Sequence, residues 1–239
     1  MGGVNNLYLL DWEGTISYPK KPFLEEFGWR ILRKSPPHQK ICLLGVVVPM
    51  IYTAKWISKE NKEKILFNLF EYFGLSLTKP KYNLLKEESQ KYNNYVLREA
   101  EEFLRDVSKQ EENKICIIST TIKEIIDDYL RDKKIENIDV YANKFLTHDG
   151  DIRKFQDPLI CDRIGKFEKS IEIIKKCSPK RIIGSGDSNS DIGIAQISDF
   201  FYTHKNADLD LREYVEEKFG KEFIYNSPKD MFEDLKNLI

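Results

Sequence analysis

The feature that most narrows the fold is an interruption. A short apolar run, NLYLLD at residues 6–11, has the pattern of a buried strand. The next run of that kind, KICIIST at 114–120, comes only about a hundred residues later. Between them FLEEFGWRILRK, KENKEKILFNLFEYFG and KEESQKYNNYVLREAEEFLRDVSK carry apolar residues at helical spacing, separated by the breaks SPPHQ and LTKPKYN. Ser58 is placed to cap the second of these helices and Gly74 to end it. From residue 114 onward strand and helix patterns alternate. TIKEIIDDYLRDKKI, DRIGKFEKSIEIIKKC, LREYVEEKFG and PKDMFEDLKNLI read as helices. IDVYAN, KRIIGSGD and DFFYTH read as strands, and KFLTHDGDIRKF as a hairpin turning at Asp149-Gly150. Alternation of this kind implies a parallel sheet covered on both faces.

The expected fold class is therefore α/β. A Rossmann-like parallel sheet core is built from residues 1–16 and 108–239, and an all-helical domain, 17–107, is inserted after the first strand. An insertion there would overhang the carboxyl ends of the strands, where open α/β sheets bind ligands.

Composition excludes several classes. A net charge of −1 across 239 residues gives no reason to expect nucleic acid or a membrane surface as partner. The longest apolar run, ICLLGVVVPMIY at 41–52, contains Pro49 and is too short to span a bilayer; it suits a buried helix or a dimer patch. The start MGGVNNLYLL has no basic segment followed by a long apolar one, so no signal peptide is expected. Cys42, Cys116, Cys161 and Cys177 form no CxxC pair, which suits buried thiols in a reducing, cytoplasmic setting. His38, His148 and His204 are scattered without metal-ligand spacing and are expected on the surface or in the hairpin.

Chemistry concentrates where strands end. LLDWEGTIS leaves its apolar run with Asp11, Glu13 and Thr15. CIIST offers Ser119 and Thr120, GKFEKS offers Lys166, and GSGDSNSD offers Asp187 and Asp191 four apart. Phosphoryl transfer needs such a set. A carboxylate can attack phosphorus, and Mg²⁺ on hard oxygen ligands, together with a lysine, offsets the meeting of two anions. Hydroxyl and N–H groups hold the transferring group, and a second acid protonates the leaving alcohol and activates water.

In order and spacing these four segments resemble the haloacid dehalogenase superfamily, whose pattern is DxDxT, a Ser/Thr after the second strand, a Lys, and GDxxxD. Within it the chain is most similar to the phosphoserine-phosphatase-like branch, which has a helical cap domain after the first motif and a segment like YANKFLTHDGDI before the lysine. The resemblance implies that Asp11 is the nucleophile and a magnesium ligand. Glu13 would be the general acid/base, with its backbone carbonyl on the metal, and Thr15 would orient the first loop. Ser119 and Thr120 would bind phosphate. Lys166 would screen nucleophile and phosphate, with Lys169 one turn on as the alternative. Asp187 and Asp191 would complete the metal site, and Gly186 would give Asp187 a tight turn. The implied activity is magnesium-dependent hydrolysis of a small phosphomonoester metabolite through an aspartyl phosphate, by a cytoplasmic monomer or homodimer. The alternatives are a phosphotransferase or mutase using the same aspartyl phosphate, or a non-catalytic binding protein.

Two positions depart from the pattern. Residue 13 is Glu where Asp is usual, although the enolase-phosphatase branch also carries DxEGT. The stretch that holds the substrate amine in phosphoserine phosphatases reads SYPKKPFLEEF here. Lys20 and Lys21 could face an anionic substrate group or simply solvent, and Glu25 or Glu26 could take the amine instead. Trp29 and Trp56, with Phe23, Phe27, Phe67, Phe70 and Phe73, are expected in the core of the cap.

Overall fold

The computed structural model describes residues 4–41, 75, 78–156, 160 and 162–237. Eight strands lie among them: β1 (Asn6–Leu10), β2 (Asn113–Ile122), β3 (Ile138–Asn143), β4 (Phe145–His148), β5 (Asp151–Phe155), β6 (Arg181–Ser185), β7 (Phe200–His204) and β8 (Ile224–Tyr225). The helices used below are α1 (Phe23–Lys34), α2 (Tyr82–Tyr92), α3 (Arg98–Val107), α4 (Lys123–Asp132), α5 (Arg163–Cys177), α6 (Ile192–Ala195), α7 (Leu209–Lys218) and α8 (Pro228–Lys236).

Six strands form one parallel sheet in the order β3-β2-β1-β6-β7-β8. β1 is central, with Asn6 opposite Asn113 on one side and Arg181 on the other. Side chains alternate across it. Leu7 and Leu9 join Cys116, Ile118, Ile173, Leu211 and Val215 on the face covered by α5 and α7. Tyr8 and Leu10 join Ile115, Ile117, Phe103, Ile126 and Phe232 on the face covered by α3, α4 and α8. Burying each such side chain is worth roughly 1.5–3 kcal/mol. An apolar run filled on both faces therefore suits only the middle of a covered parallel sheet.

The second cluster is the cap. Phe23, Phe27 and Ile31 of α1 meet Leu84, Leu85 and Tyr92 of α2, and these rest on Ile122, Ile125, Phe145, Ile152 and Phe155. Arg30 of α1 pairs with Glu87 and Glu88 of α2. The β4–β5 hairpin turns at Asp149 and Gly150, with φ of 51° and 77°, as a two-residue type I′ turn requires. Tyr82 N–H donates to the Gly150 carbonyl at 2.9 Å and Ile152 N–H to that of Pro80 at 2.8 Å, so the hairpin supports the cap from below.

Several expectations change here. The pattern at 86–109 reads as one helix, but it is two. A 3-10 turn at Asn93–Tyr95 and an extended Val96 and Leu97 separate α2 from α3. The break exists because the returning chain pairs with the departing one: Tyr18 N–H donates to Tyr95 O at 2.9 Å and Leu97 N–H to Ile16 O at 3.0 Å. α3 then buries Ala100, Phe103, Leu104 and Val107 in the sheet's own cluster, although it was assigned by sequence to the inserted block. β8, two residues long, escapes the sequence patterns. Trp29 is exposed rather than part of the cap core, whereas Phe23 and Phe27 are buried in it. Cys116 is buried and Cys177 half-buried, both as free thiols. The run 42–52, Ser58, Gly74, Trp56, Phe67, Phe70, Phe73, Cys42 and Cys161 lie outside the described residues. Among the described residues no helix is long and apolar enough to cross a membrane.

Candidate active site

β1 and β6 are neighbours whose onward connections run to opposite sides of the sheet, which opens a crevice beyond their carboxyl ends. Asp11 follows β1 there and Asp187 follows β6. The two strand ends are joined by Asp11 N–H donating to Ser185 O at 3.0 Å. Lys166 enters from the first turn of α5, which Asp162 caps by accepting from Gly165 N–H at 2.7 Å.

Lys166 is buried and donates from Nζ to Asp11 Oδ1 at 2.8 Å and to Asp191 Oδ1 at 2.5 Å. Burial alone would lower its pKa, but the two carboxylates hold it above the usual lysine value, so it is charged across the physiological range. Lys169 instead pairs with Glu172 on the helix surface. Asp191 Oδ2 accepts from Asp187 N–H at 3.1 Å, Ser188 N–H at 2.9 Å and Ser188 Oγ at 2.9 Å, which fixes its carboxylate completely. Oxygens of Asp11, Asp187 and Asp191 lie within 4.8 Å of one another, and Asp187 Oδ1 is buried with no hydrogen-bond partner. Three hard, converging oxygen donors with one orphaned atom suit a divalent cation. Burial pushes the Asp11 carboxyl up to about 7, reinforced by the charges of Asp191 and Glu13 against the pull of Lys166. Desolvation also raises Asp187 well above the ordinary range, helped by Asp11 and Asp191. A bound cation would reverse both shifts.

Two glycines let these loops meet. Gly14 sits at φ +87°, and a Cβ there would lie 2.0 Å from Asp187 Oδ2. Gly186 has no such backbone requirement; a Cβ there would lie 2.3 Å from the Asp191 carboxyl carbon, so close approach, not a tight turn, demands glycine. Gly14→Ala should cost about 2–4 kcal/mol, from the positive φ together with overpacking. It should also displace Asp187. A thermal melt with and without divalent cation checks both effects.

Glu13 is not part of the three-aspartate cluster. Its Oε1 accepts from the backbone N–H of Phe23, the first residue of α1, at 2.7 Å. A carboxylate at a helix N-terminus is favourable, and the methylene that distinguishes Glu from Asp gives the side chain this reach. Burial raises the Glu13 pKa, opposed by the nearby Tyr92 hydroxyl, Phe23 N–H and Thr121 hydroxyl. Neither hydroxyl is in formed hydrogen-bond geometry.

Ser119 is buried within β2, two residues past its last pairing with β1, and its Oγ accepts from Thr121 N–H at 3.3 Å. Thr120 is half-buried, its carbonyl held by Asn143 Nδ2 at 2.7 Å. Asn143 also bonds Ile160 in both directions, tying the β2 loop to the segment before α5. The Thr15 hydroxyl has no partner. The first loop is held instead by its backbone, with Gly14 N–H on Ser17 O and Ser17 N–H on Trp12 O, both at 2.7 Å. Lys20 and Lys21 lie on the wall of a cavity beside α1.

Two residues near the site were not anticipated. His204 ends β7 fully buried and bonds Gly14 O through Nε2 at 3.1 Å. Burial holds its pKa below the ordinary imidazole value, so the ring is neutral and Nε2–H donates. The sequence signal was present: DFFYTH delivers residue 204 to the same strand edge as Asp11. Tyr92, 3% exposed, carries a hydroxyl without a partner close to Glu13. Nothing in its helical pattern distinguishes it from an ordinary packing residue.

No protein-family profile matches this sequence. No curated protein matches it either. Solved structures do. A substrate-bound phosphoserine phosphatase superposes with a TM-score of 0.68 at 14% identity, over 98% of each chain. A HAD family hydrolase from Salmonella enterica serovar Typhi gives 0.66 at 13%, over 94% of this chain and 68% of that one. A cytosolic 5′-nucleotidase bound to cytidine gives 0.62 at 16%, over 99% and 88%. The strand order, the crevice between β1 and β6 and these superpositions together give the chain a haloacid dehalogenase-like fold of the phosphoserine-phosphatase type.

Proposed function

We propose that the chain is a magnesium-dependent phosphomonoester hydrolase acting on a small metabolite through an aspartyl phosphate on Asp11. The observation that carries this reading is the buried Lys166 ammonium bridging Asp11 and Asp191 with Asp187 alongside. It pairs a carboxylate nucleophile with a cation-binding cluster at the ligand-binding edge of the sheet. The matched phosphoserine phosphatase and nucleotidase structures support the same class.

A carboxylate oxygen of Asp11 attacks phosphorus, and the bond to the alcohol oxygen breaks. Glu13, whose raised pKa keeps a proton available, donates it to that oxygen. Glu13 then takes a proton from water, which attacks phosphorus, releasing phosphate and restoring Asp11. Lys166 holds Asp11 in line and offsets charge on the transferring group, while Ser119, Thr120 and the backbone N–H groups beside them receive its oxygens. Mg²⁺ on Asp11, Asp187, Asp191 and the Glu13 carbonyl would neutralise phosphoryl charge. Because Glu13 is bonded to the first turn of α1, the position of the cap sets the orientation of the acid. Cap closure would also exclude bulk water from the first step.

The test is release of phosphate from p-nitrophenyl phosphate. We expect turnover with Mg²⁺ and none with EDTA; equal background release in both overturns the reading. Glu13→Gln should lower kcat by about 10²–10⁴. Glu13→Asp, too short to reach Phe23 N–H, should lose roughly tenfold to a hundredfold through misplacement; steady-state kinetics on both variants measure this. Saturating Mg²⁺, at about 100 times its Kd, should stabilise the fold by ~2.7 kcal/mol, raising Tm by roughly 5–10 °C at this chain length.

A further inference from the structure

A cavity of about 420 Å³ opens beside the cap helices, and its described wall includes Lys20, Lys21, Arg30, Arg33, Lys34 and Lys91. Two acids, Glu26 and Glu88, share that wall. Some of the cations are already paired. Arg30 is held by Glu87 and Glu88, Lys21 by Glu25 at 2.9 Å, Lys91 by Glu88 at 3.2 Å and Lys34 by Glu87 at 3.5 Å. Lys20 and Arg33 have no acidic partner among the described residues. The described part of the wall therefore carries surplus positive charge, with two of its cations unpaired among the described residues.

Two residues of the cavity wall also border the reaction site. Phe23 and Tyr92 line the cavity; the Phe23 N–H holds Glu13. The Tyr92 hydroxyl, buried and without a partner, lies close enough to Glu13 and Asp11 to be shifted by both charges. A molecule filling the cavity would meet the Tyr92 side chain at the boundary with Glu13. The phosphoryl end of such a molecule belongs at Asp11, and its remainder belongs among the cations.

Accordingly, we propose that the substrate carries a second anionic group on its alcohol portion, a carboxylate or a second phosphate, which Lys20 and Arg33 bind in this cavity. This deepens the phosphatase reading and rests on it. A lone ammonium would face mostly like charge along the described wall, against which stand Glu26 and the already paired Glu88, so a zwitterionic amino-acid phosphoester is disfavoured.

Four probes on a three-carbon frame separate the possibilities: glycerol 3-phosphate without a second charge, 3-phosphoglycerate with a carboxylate, glycerol 1,3-bisphosphate with a phosphate, and O-phosphoserine with both signs. Each is measured for kcat/KM with Mg²⁺, and for affinity to full-length Asp11→Asn by calorimetry. We expect at least one of the two doubly anionic probes to exceed glycerol 3-phosphate and O-phosphoserine about tenfold or more, mainly through KM. The preference should weaken in high salt. The two doubly anionic arms tell carboxylate from phosphate. In Lys20→Ala/Arg33→Ala the ratio of doubly to singly anionic probes should fall towards one. Equal use of all four probes, preference for O-phosphoserine, or a ratio unchanged in the double variant overturns the proposal. If no probe and no p-nitrophenyl phosphate is hydrolysed, the phosphatase reading fails by itself; the calorimetric ranking then still decides the anion site.

Discussion

Asp11→Asn should reduce phosphate release by at least about four orders of magnitude, because it removes the atom that bonds to phosphorus and not merely one that stabilises the reaction. The variant should nonetheless fold. Asp11 is held near pKa 7 by burial, so in the native state it binds a proton that the unfolded chain has already lost above about pH 4. Native protein binding more protons means stability falls as pH rises. In EDTA the wild type should thus lose stability between about pH 4 and pH 7, and Asn, which carries no charge, should flatten that part of the profile. Lys166 keeps Asp191 as its partner at 2.5 Å in either case. The expected pair of results is absent turnover with an EDTA Tm at pH 7.5 equal to or above wild type. Melting curves across pH beside the phosphate assay check it. A variant that is inactive because it is unfolded would show the opposite thermal shift.

Lys166→Met should fail in both respects. Its ammonium is the counter-charge to two buried carboxylates, and removing one partner of such a cluster leaves the others unpaired at a cost of about 3–5 kcal/mol. For a chain of this size that lowers Tm by roughly 6–20 °C. The loss should be smaller at pH 5 than at pH 8, since a protonated Asp11 needs no counter-charge. Added Mg²⁺ should restore part of the stability without restoring turnover. Scanning fluorimetry at the two pH values, with Mg²⁺ and with EDTA, separates these contributions.

How much of this was legible beforehand depended on whether a residue's role was local. The strands announced themselves because a buried parallel strand must be apolar on both faces, as Leu7 to Leu10 and Ile115 to Ile118 are. Asp11, Lys166, Asp187 and Asp191 were legible because each ends or follows such a run, and all four meet. The end of α2 was not, because Tyr95 and Leu97 are diverted by pairing with Ile16 and Tyr18, far away in sequence. Tyr92 is hidden for the same reason, since its importance lies in what faces it across the fold, whereas His204 ends an apolar run as the aspartates do and could have been found by that rule. Glu13 departs from the usual Asp of the phosphatase pattern, and its partner, the Phe23 N–H at the start of α1, is a tertiary contact that the sequence does not signal. The position of β8 depended on pairing with β7, which two residues cannot signal alone.

The central place of β1 has a consequence for biosynthesis. β1 leaves the ribosome ahead of both its neighbours and can pair only when residues 113–117 and then 181–185 have been made. Until then an apolar segment waits with both edges open, a circumstance that favours aggregation. Asp11 and Lys166, 155 residues apart in the chain, come together only after that wait. Nascent chains truncated before residue 181 should accordingly be protease-sensitive at β1, and a holding chaperone would have its greatest effect in that interval.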